Sequence, residues 1–469
     1  MDSSTSSEYL QEKLYDCLQI VRQYDWLINA YILDFYVDNH WEKLPRSWQK
    51  HLDHVKPEEL STLLNFNEIA EQQHANVWPL ALLALRCKLR EVCVDRSQQS
   101  NTATLSACRS PLLSHTKLKH VFNKCVKPKK RHEIELMASH CEYSYQQTPV
   151  DYIIDFGAGL GHLARILGYG FGRRVCCLEM RPELNVQARC IDKQFELFAE
   201  KHLPAVKRAT FRRPEHVTLC LTAEIQPQQF LNLIAEAVQR EDTNFTFGII
   251  GLHPCGDLAV ILMRMFINSP QARFLNFASC CYMKLSTTEM HSKVELQGYP
   301  LSRYLLQQPK LAHMSYEARE ISCHAMEMYC DRLAKGDYEH LKVHSFRAAA
   351  EHIIVKHWLH LKHSGLRSVK HVPGMEFEDY YYKAVQGLEA VHLERTALQT
   401  ATTQNYLRHW RRIVIFYTLR LMFAPLIESI ILYDRALYLQ ENLCQVKIDA
   451  VFDPRISPRN HITCAFKPS

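Results

Sequence analysis

Glycine is scarce in this sequence, 14 residues in 469, against a usual share of about 7%. The shortage excludes a collagen-like or glycine-rich chain. It also makes placement informative, because Gly157, Gly159, Gly161, Gly168, Gly170 and Gly172 fall within one short segment. A targeting leader is missing as well: MDSSTSSEYLQEKL has no basic stretch running into an apolar one and no Arg-rich amphipathic start. Secretory and mitochondrial signals are therefore not expected, and the expected compartment is cytoplasm or nucleus. The 17 cysteines never form a C-x-x-C pair. They read as reduced thiols, with neither a disulfide framework nor a metal site expected. A strong excess of one charge is absent: 56 Lys and Arg against 50 Asp and Glu give +6, too mild to imply nucleic acid by itself. Finally, no long apolar run is free of costly residues. Ile413–Tyr433 has spanning length but carries Arg420, Pro425 and Glu428, so a buried helix is expected and no membrane span.

What is present is an ordinary globular composition, 47% hydrophobic and 23% charged, on a chain long enough for several structural units. Residues 8 to about 95 show apolar residues at helical spacing, among them Leu14, Leu18 and Val21, and no strand-like run. Pro57-Glu58-Glu59 and Trp78-Pro79 read as helix starts. Ser97–Ser110 is small and polar and reads as a linker. The texture then changes to strands at Val150–Phe156, Arg174–Glu179, Val217–Leu221, Phe245–Leu252 and Arg273–Tyr282, with helices at Leu160–Tyr169, Glu183–Leu203, Phe230–Arg240 and Leu258–Phe266 between them. Alternation of this kind predicts parallel βαβ units in a doubly wound α/β sheet. From Leu285 to Thr403 the rhythm stops. A helix at Pro425–Glu441 then leads into Gln445–Phe452 and Ile462–Phe466, which we read as an antiparallel hairpin completing the same sheet.

The expected division is a helical N-terminal region and linker over 1–110, the first part of the core over 111–284, a helical insertion over 285–403, and the rest of the core over 404–469. Following the fifth strand, the insertion would lie beside the strand carboxyl ends, placed to act as a substrate lid.

The glycines sit where chemistry is expected. Val150 to Gly161 is a strand running into Gly157-x-Gly159-x-Gly161 and then a helix, the arrangement that lets backbone N–H groups approach a ligand. A dinucleotide fingerprint requires glycine at position 162, which is histidine here. Asp155, two residues before Gly157, suits a ligand with an amino group and positive charge and repels a pyrophosphate. That points to S-adenosylmethionine. Glu179 ends the second strand, where a carboxylate can accept both ribose hydroxyls. After the fourth and fifth strands come Gly251–Leu258 (GLHPCGDL) and Ala278–Leu285 (ASCCYMKL). His253 and Asp257 are candidates to position a nucleophile or take its proton, Tyr282 and Lys284 to orient substrate. Asp257 reads equally as a helix N-cap, and Cys255, Cys280 and Cys281 as small buried hydrophobes.

PKKRHEIE (128–135), DFGAGLGHLAR (155–165), LHPCGDLA (252–259), CCYMKLS (280–286), GYPLS (298–302), APLIESIILYDR (424–435) and FDPRISPRN (452–460) together resemble the methyltransferase-like protein 25 family. The resemblance implies a class I, Rossmann-like methyltransferase fold with a seven-stranded sheet, S-adenosylmethionine as cofactor, and Asp155, Gly157, Gly159 and Glu179 in cofactor positions. With it Phe156, Gly161, Lys130, His132, Glu133 and His253 are expected around the cofactor. Amino-group methyltransferases acting on bases carry an Asn/Asp-x-Pro-Tyr type motif where this chain has Leu252-His-Pro-Cys255, which argues against adenine as acceptor. The pairing of L-H-x-C-G with C-C also resembles, more distantly, transfer-RNA ribose 2′-O-methyltransferases.

Lys117, Lys119, Lys124, Lys127, Lys129, Lys130 and Arg131 occur without an intervening carboxylate. Such a run is expected either to face RNA at the entrance of the cleft or to be a solvated face. Arg408, Trp410, Arg411 and Arg412 form a second basic cluster. Two functions are consistent with these features: a methyltransferase with RNA favoured over protein as acceptor, or a cofactor-binding interaction scaffold that has lost its chemistry.

Overall fold

Val-Cys-Cys-Leu-Glu and Phe-Gly-Ile-Ile-Gly-Leu are apolar runs too short for helices, and the chain buries them on both faces, as central parallel strands require. In a computed structural model they join five others: β1 (Tyr152–Phe156), β2 (Val175–Glu179), β3 (Glu215–Thr218), β4 (Phe247–Leu252), β5 (Ala272–Ala278), β6 (Gln445–Ala450) and β7 (His461–Phe466). The structure describes residues 6–66, 77–98, 108, 110, 115–123, 126–222, 225–287, 297–364, 366–370, 372–388 and 393–468.

The strands form one sheet in the order β3-β2-β1-β4-β5-β7-β6. The first five are parallel, with Ile154 opposite Cys176 on one side and Ile249 on the other. β7 runs antiparallel between β5 and β6, pairing Phe274 with Phe466 and Val446 with Ala465. This is the class I methyltransferase sheet, and the expected C-terminal hairpin completes it. Strand order reverses between β1 and β4, so the crevice at the carboxyl ends of those strands is where a ligand fits.

Side chains alternate along β1. Ile153 and Asp155 face the Pro128–Gln147 helix, whose Ile134, Met137 and Cys141 share a core cluster with Ile153, Val175, Ile250 and Phe274. Phe156 points to the opposite face and stacks on Phe230, centroids 5.8 Å apart. Fully buried rings of this size contribute roughly 1.5–3 kcal/mol each.

Several expected boundaries shift. β3 lies at Glu215–Thr218 instead of Val217–Leu221, a short and partly exposed edge strand, and β5 stops at Ala278, leaving Ser279–Cys281 as loop and Tyr282 at the start of a short 3-10 turn. The helix expected over Leu160–Tyr169 is one α-turn, His162–Arg165, followed by a wider turn at Ile166–Gly170, where two glycines weaken helix propensity. Most of the expected Ser97–Ser110 linker lies outside the described residues.

The chain divides into two compact units. One comprises residues 1–18, 95–314 and 428–469 and contains the sheet; the other comprises 19–94 and 315–427. The division differs from the expected one, since 285–314 cluster with the sheet while 404–427 belong to the second unit. That second unit has helices and no strand among its described residues. Within it the two segments are knitted together: Tyr36 stacks on Tyr406 at 4.0 Å, and buried Arg420 donates to the carbonyls of Ile28 and Glu317. The Trp410–Glu441 stretch is the one described helical segment long and apolar enough to cross a membrane, and 94% of its most apolar window is buried within the protein.

Candidate active site

β1 delivers its chain directly into the glycine loop, which is tied to the neighbouring strand by Gly157 and Ala158 N–H groups donating to Leu178 O at 2.9 and 3.2 Å. Gly157 and Gly159 have φ of +70° and +58°, and a Cβ at either would meet nothing within 4 Å. Both glycines thus border open space, with their amides at the start of the His162 turn. Gly161, also expected at the cofactor, is tightly packed on its Cα side, since a Cβ there would lie 2.6 Å from His216 Cε1. That imidazole is buried in a network in which Asp192 accepts from Arg165 Nε at 2.5 Å and pairs with His216 Nε2 at 2.7 Å.

Two carboxylates flank the open loop. Glu179, at the end of β2, accepts from Gly159 N at 3.1 Å with one oxygen and from Arg181 N at 3.0 Å with the other. It therefore shapes the loop while each oxygen keeps a second lone pair. Asp155 is 3% exposed, and among the described residues no group donates a hydrogen bond to it. Burial pushes its carboxyl up to about 7, with Lys130 opposing and the charge of Glu179 adding to the rise. A buried acid without a donor is costly unless a ligand supplies one. Phe156, by contrast, offers the site only its backbone, since its side chain belongs to the core on the other face.

The Pro128–Gln147 helix brings a second set of groups. Buried Glu133 pairs through Oε2 with His253 Nε2 at 3.0 Å and accepts from Ser457 Oγ through Oε1 at 2.6 Å. Burial raises the Glu133 carboxyl, but the bonds from His253 and Ser457 outweigh it and hold the acid below its usual value. Glu133 Oε2 meets the Nε2 edge of His253 and so orients the ring. The opposite ring nitrogen, Nδ1, is buried and has no hydrogen-bond partner among the described residues. His253 itself sits at φ +71° immediately after β4, a strained conformation for a non-glycine residue and one that clusters at functional sites. His132 accepts from Asp453 N at 2.9 Å, and burial holds its imidazole below the usual value. Lys130 is exposed at the start of the same helix, close enough to bias Asp155 and His162.

The remaining candidates divide. Asp257 precedes the Leu258–Asn268 helix without capping it by its side chain; its Oδ1 accepts from Ser286 N at 2.9 Å and clasps the loop after β5. Tyr282 is buried, donates to Glu428 Oε1 at 3.1 Å and lies under the Arg435 guanidinium. Both side chains tie segments of the chain together. Lys284 is exposed beside the strand ends. Cys255, Cys280 and Cys281 have their Sγ atoms within 3.1–3.4 Å of one another, a juxtaposition that spacing along the chain does not show.

The motifs whose purpose the sequence leaves open prove to be anchors. Asp434 accepts from the amides of Leu301 and Ser302, both at 2.8 Å, and Arg435 donates to Ser279 Oγ at 2.8 Å. Arg96 pairs with Glu428 and donates to Pro458 O. Sequence reasoning missed Ser457 and Asp453 as members of the site; FDPRISPRN was a signal, but only the hairpin geometry brings it to Glu133. The basic run splits: Leu118 packs on Tyr169, Phe195 and Ala199, leaving Lys117 and Lys119 exposed, while Lys127, Lys129 and Lys130 are exposed at the next helix start and Arg131 donates to Val126 O. Lys124 lies outside the described residues.

Sheet order, open glycine loop and paired acids define a class I methyltransferase domain. Residues 129–288 match the family described as a methyltransferase domain. The chain is similar to the "Probable methyltransferase-like protein 25" of Homo sapiens, 28% identical over 229 residues, covering 47% of this chain and 36% of that protein. The Mus musculus protein of the same description is also 28% identical over 229 residues, 47% of this chain and 37% of its own length. The match thus spans little more than a third of these relatives, and it supports the family suggested by the motifs.

Proposed function

We propose that the protein is an S-adenosylmethionine-dependent methyltransferase. The observation that carries this reading is the pairing of a glycine loop bordering open space at Gly157 and Gly159 with the buried carboxyl of Asp155, to which no group donates among the described residues. These features fit the cofactor, whose cationic amino acid end suits Asp155 and whose ribose hydroxyls suit the spare lone pairs of Glu179. When bound, S-adenosylmethionine supplies a methyl group activated by an adjacent sulfonium. The chain's own contribution is to hold the acceptor in line and to receive its proton. We assign that role to His253, whose ring Glu133 holds through Nε2.

Calorimetric titration with S-adenosylhomocysteine tests the reading. The protein should bind it, and Gly159→Arg and the double variant Asp155→Ala/Glu179→Ala should lose binding while keeping cooperative unfolding. Binding of NAD with no response to S-adenosylhomocysteine would overturn it.

For the acceptor, the exposed Lys127, Lys129 and Lys130 at the start of the helix that carries Glu133 favour a phosphate-bearing molecule, and RNA is our reading. Changing the three to glutamine should weaken RNA binding and flatten its salt dependence; an unchanged affinity and slope would exclude RNA contact by this segment.

A further inference from the structure

We propose that Cys255, Cys280 and Cys281 form a three-thiolate site for a soft tetrahedral divalent ion, zinc being the representative member.

The three Sγ atoms form a nearly equilateral triangle with sides of 3.1, 3.3 and 3.4 Å. Zinc–thiolate bonds of about 2.3 Å in a tetrahedron place sulfurs about 3.8 Å apart, so each side of the triangle needs to open by about half an ångström to take the ion on its face. A disulfide predicts something else, one close pair and one bystander, because a third sulfur has no place in an S–S bond. Soft sulfur ligands select zinc or copper(I) over magnesium and calcium. No fourth histidine, cysteine or carboxylate joins the triangle among the described residues.

The backbone builds this arrangement and holds it. β4 and β5 are adjacent and parallel with Leu252 opposite Ala278, so Cys255 and the Cys280–Cys281 pair leave the sheet at the same edge. Gly256, at φ +57°, lets the two loops touch, since a Cβ there would stand 2.7 Å from Lys284 O. Asp257 then clasps Ser286 N on the far side. The thiols are only partly buried, which gives an ion a way in. This site is independent of the glycine loop: S-adenosylhomocysteine binding can fail without affecting metal content, and the reverse.

Protein purified under reducing conditions from zinc-supplemented cells should contain about one zinc per chain by elemental mass spectrometry. Replacing zinc by cobalt(II) should produce thiolate-to-cobalt charge-transfer absorption with tetrahedral visible bands. Cys255→Ser, Cys280→Ser and Cys281→Ser should each cut zinc content severalfold, while Cys190→Ser, an exposed cysteine elsewhere, should not. Because a serine variant can lose metal by misfolding, each is checked for an unfolding transition; a folded variant without metal supports the site. Folded wild-type protein that takes up neither zinc nor cobalt with all three thiols reduced would overturn the proposal, as would an intact-mass deficit of two hydrogens mapped to a disulfide among them.

Discussion

Asp155 is a candidate cofactor residue whose ionisation the fold alters. Burial comes first among the causes, followed by Lys130 on the facing helix, which opposes it, and Glu179 on β2; Cys141 and Cys177 are its other titratable neighbours. The folded carboxyl is raised to about 7 from 3.8, so the native state binds more protons than the unfolded one between those values. Stability from this group is present at low pH and lost as pH rises through about 7, by an amount on the order of 4 kcal/mol. Asp155→Asn should flatten the stability–pH curve of the ligand-free protein between about pH 4 and pH 7, measured by denaturant unfolding. Two neighbouring glycines should behave oppositely. Gly159→Ala meets open space and costs about 1 kcal/mol for its left-handed backbone, yet should weaken S-adenosylhomocysteine binding at least tenfold. Gly161→Ala strikes His216 and should lower the melting temperature with the larger loss of stability. Both glycines were visible in the sequence as one motif. Their separate roles were not, because His216 arrives from β3, more than fifty residues downstream.

At the scale of elements, the strands and helices of the βα region were legible because their apolar runs follow the periods of the structures they form. The C-terminal hairpin was legible for the same reason, although it joins the sheet after a long excursion. Three features were not. The ends of β3 and β5 shift because edge exposure and a turn, not propensity, set them. Asp257 and Tyr282 read as chemistry because they follow strand ends, while the contacts each makes, with Ser286 and with Glu428, come from other segments and are not visible in the sequence. The second helical unit takes both of its parts from regions that composition alone separates, and only contacts such as Tyr36 on Tyr406 unite them. One anchoring contact is directly testable. Glu428 is 2% exposed and bonded to Arg96 and Tyr282. Arg96→Ala would leave that carboxylate buried without its charge partner, a loss of about 3–5 kcal/mol, whereas Arg96→Ala with Glu428→Gln should recover most of it in thermal melts.

For the molecule as a whole, the sheet is closed by strands far apart in the chain: β5 pairs with β7, Phe274 against Phe466. Non-local pairing of this kind slows folding. A chain ended at residue 443 lacks β6 and β7 and leaves β5 as an uncovered edge, and such edges invite intermolecular pairing. That truncation should be insoluble, or soluble only as aggregates by size-exclusion chromatography, although every residue of the glycine loop is present. The small net charge of +6 would offer little resistance to association.

The hydrogen bond from Ser457 to Glu133 joins residues 324 positions apart, and this has a meaning for the timing of synthesis. A ribosome adding roughly 5–20 residues per second needs about 15–65 s to travel that distance. For most of that interval the glycine loop has been synthesised, while the loop that steadies Glu133, and through it His253, has not. With His253 as the proton acceptor we propose, the nascent polypeptide is catalytically silent until translation has passed residue 457, and a message cut short upstream of that codon yields a product with the cradle but without its steadied base.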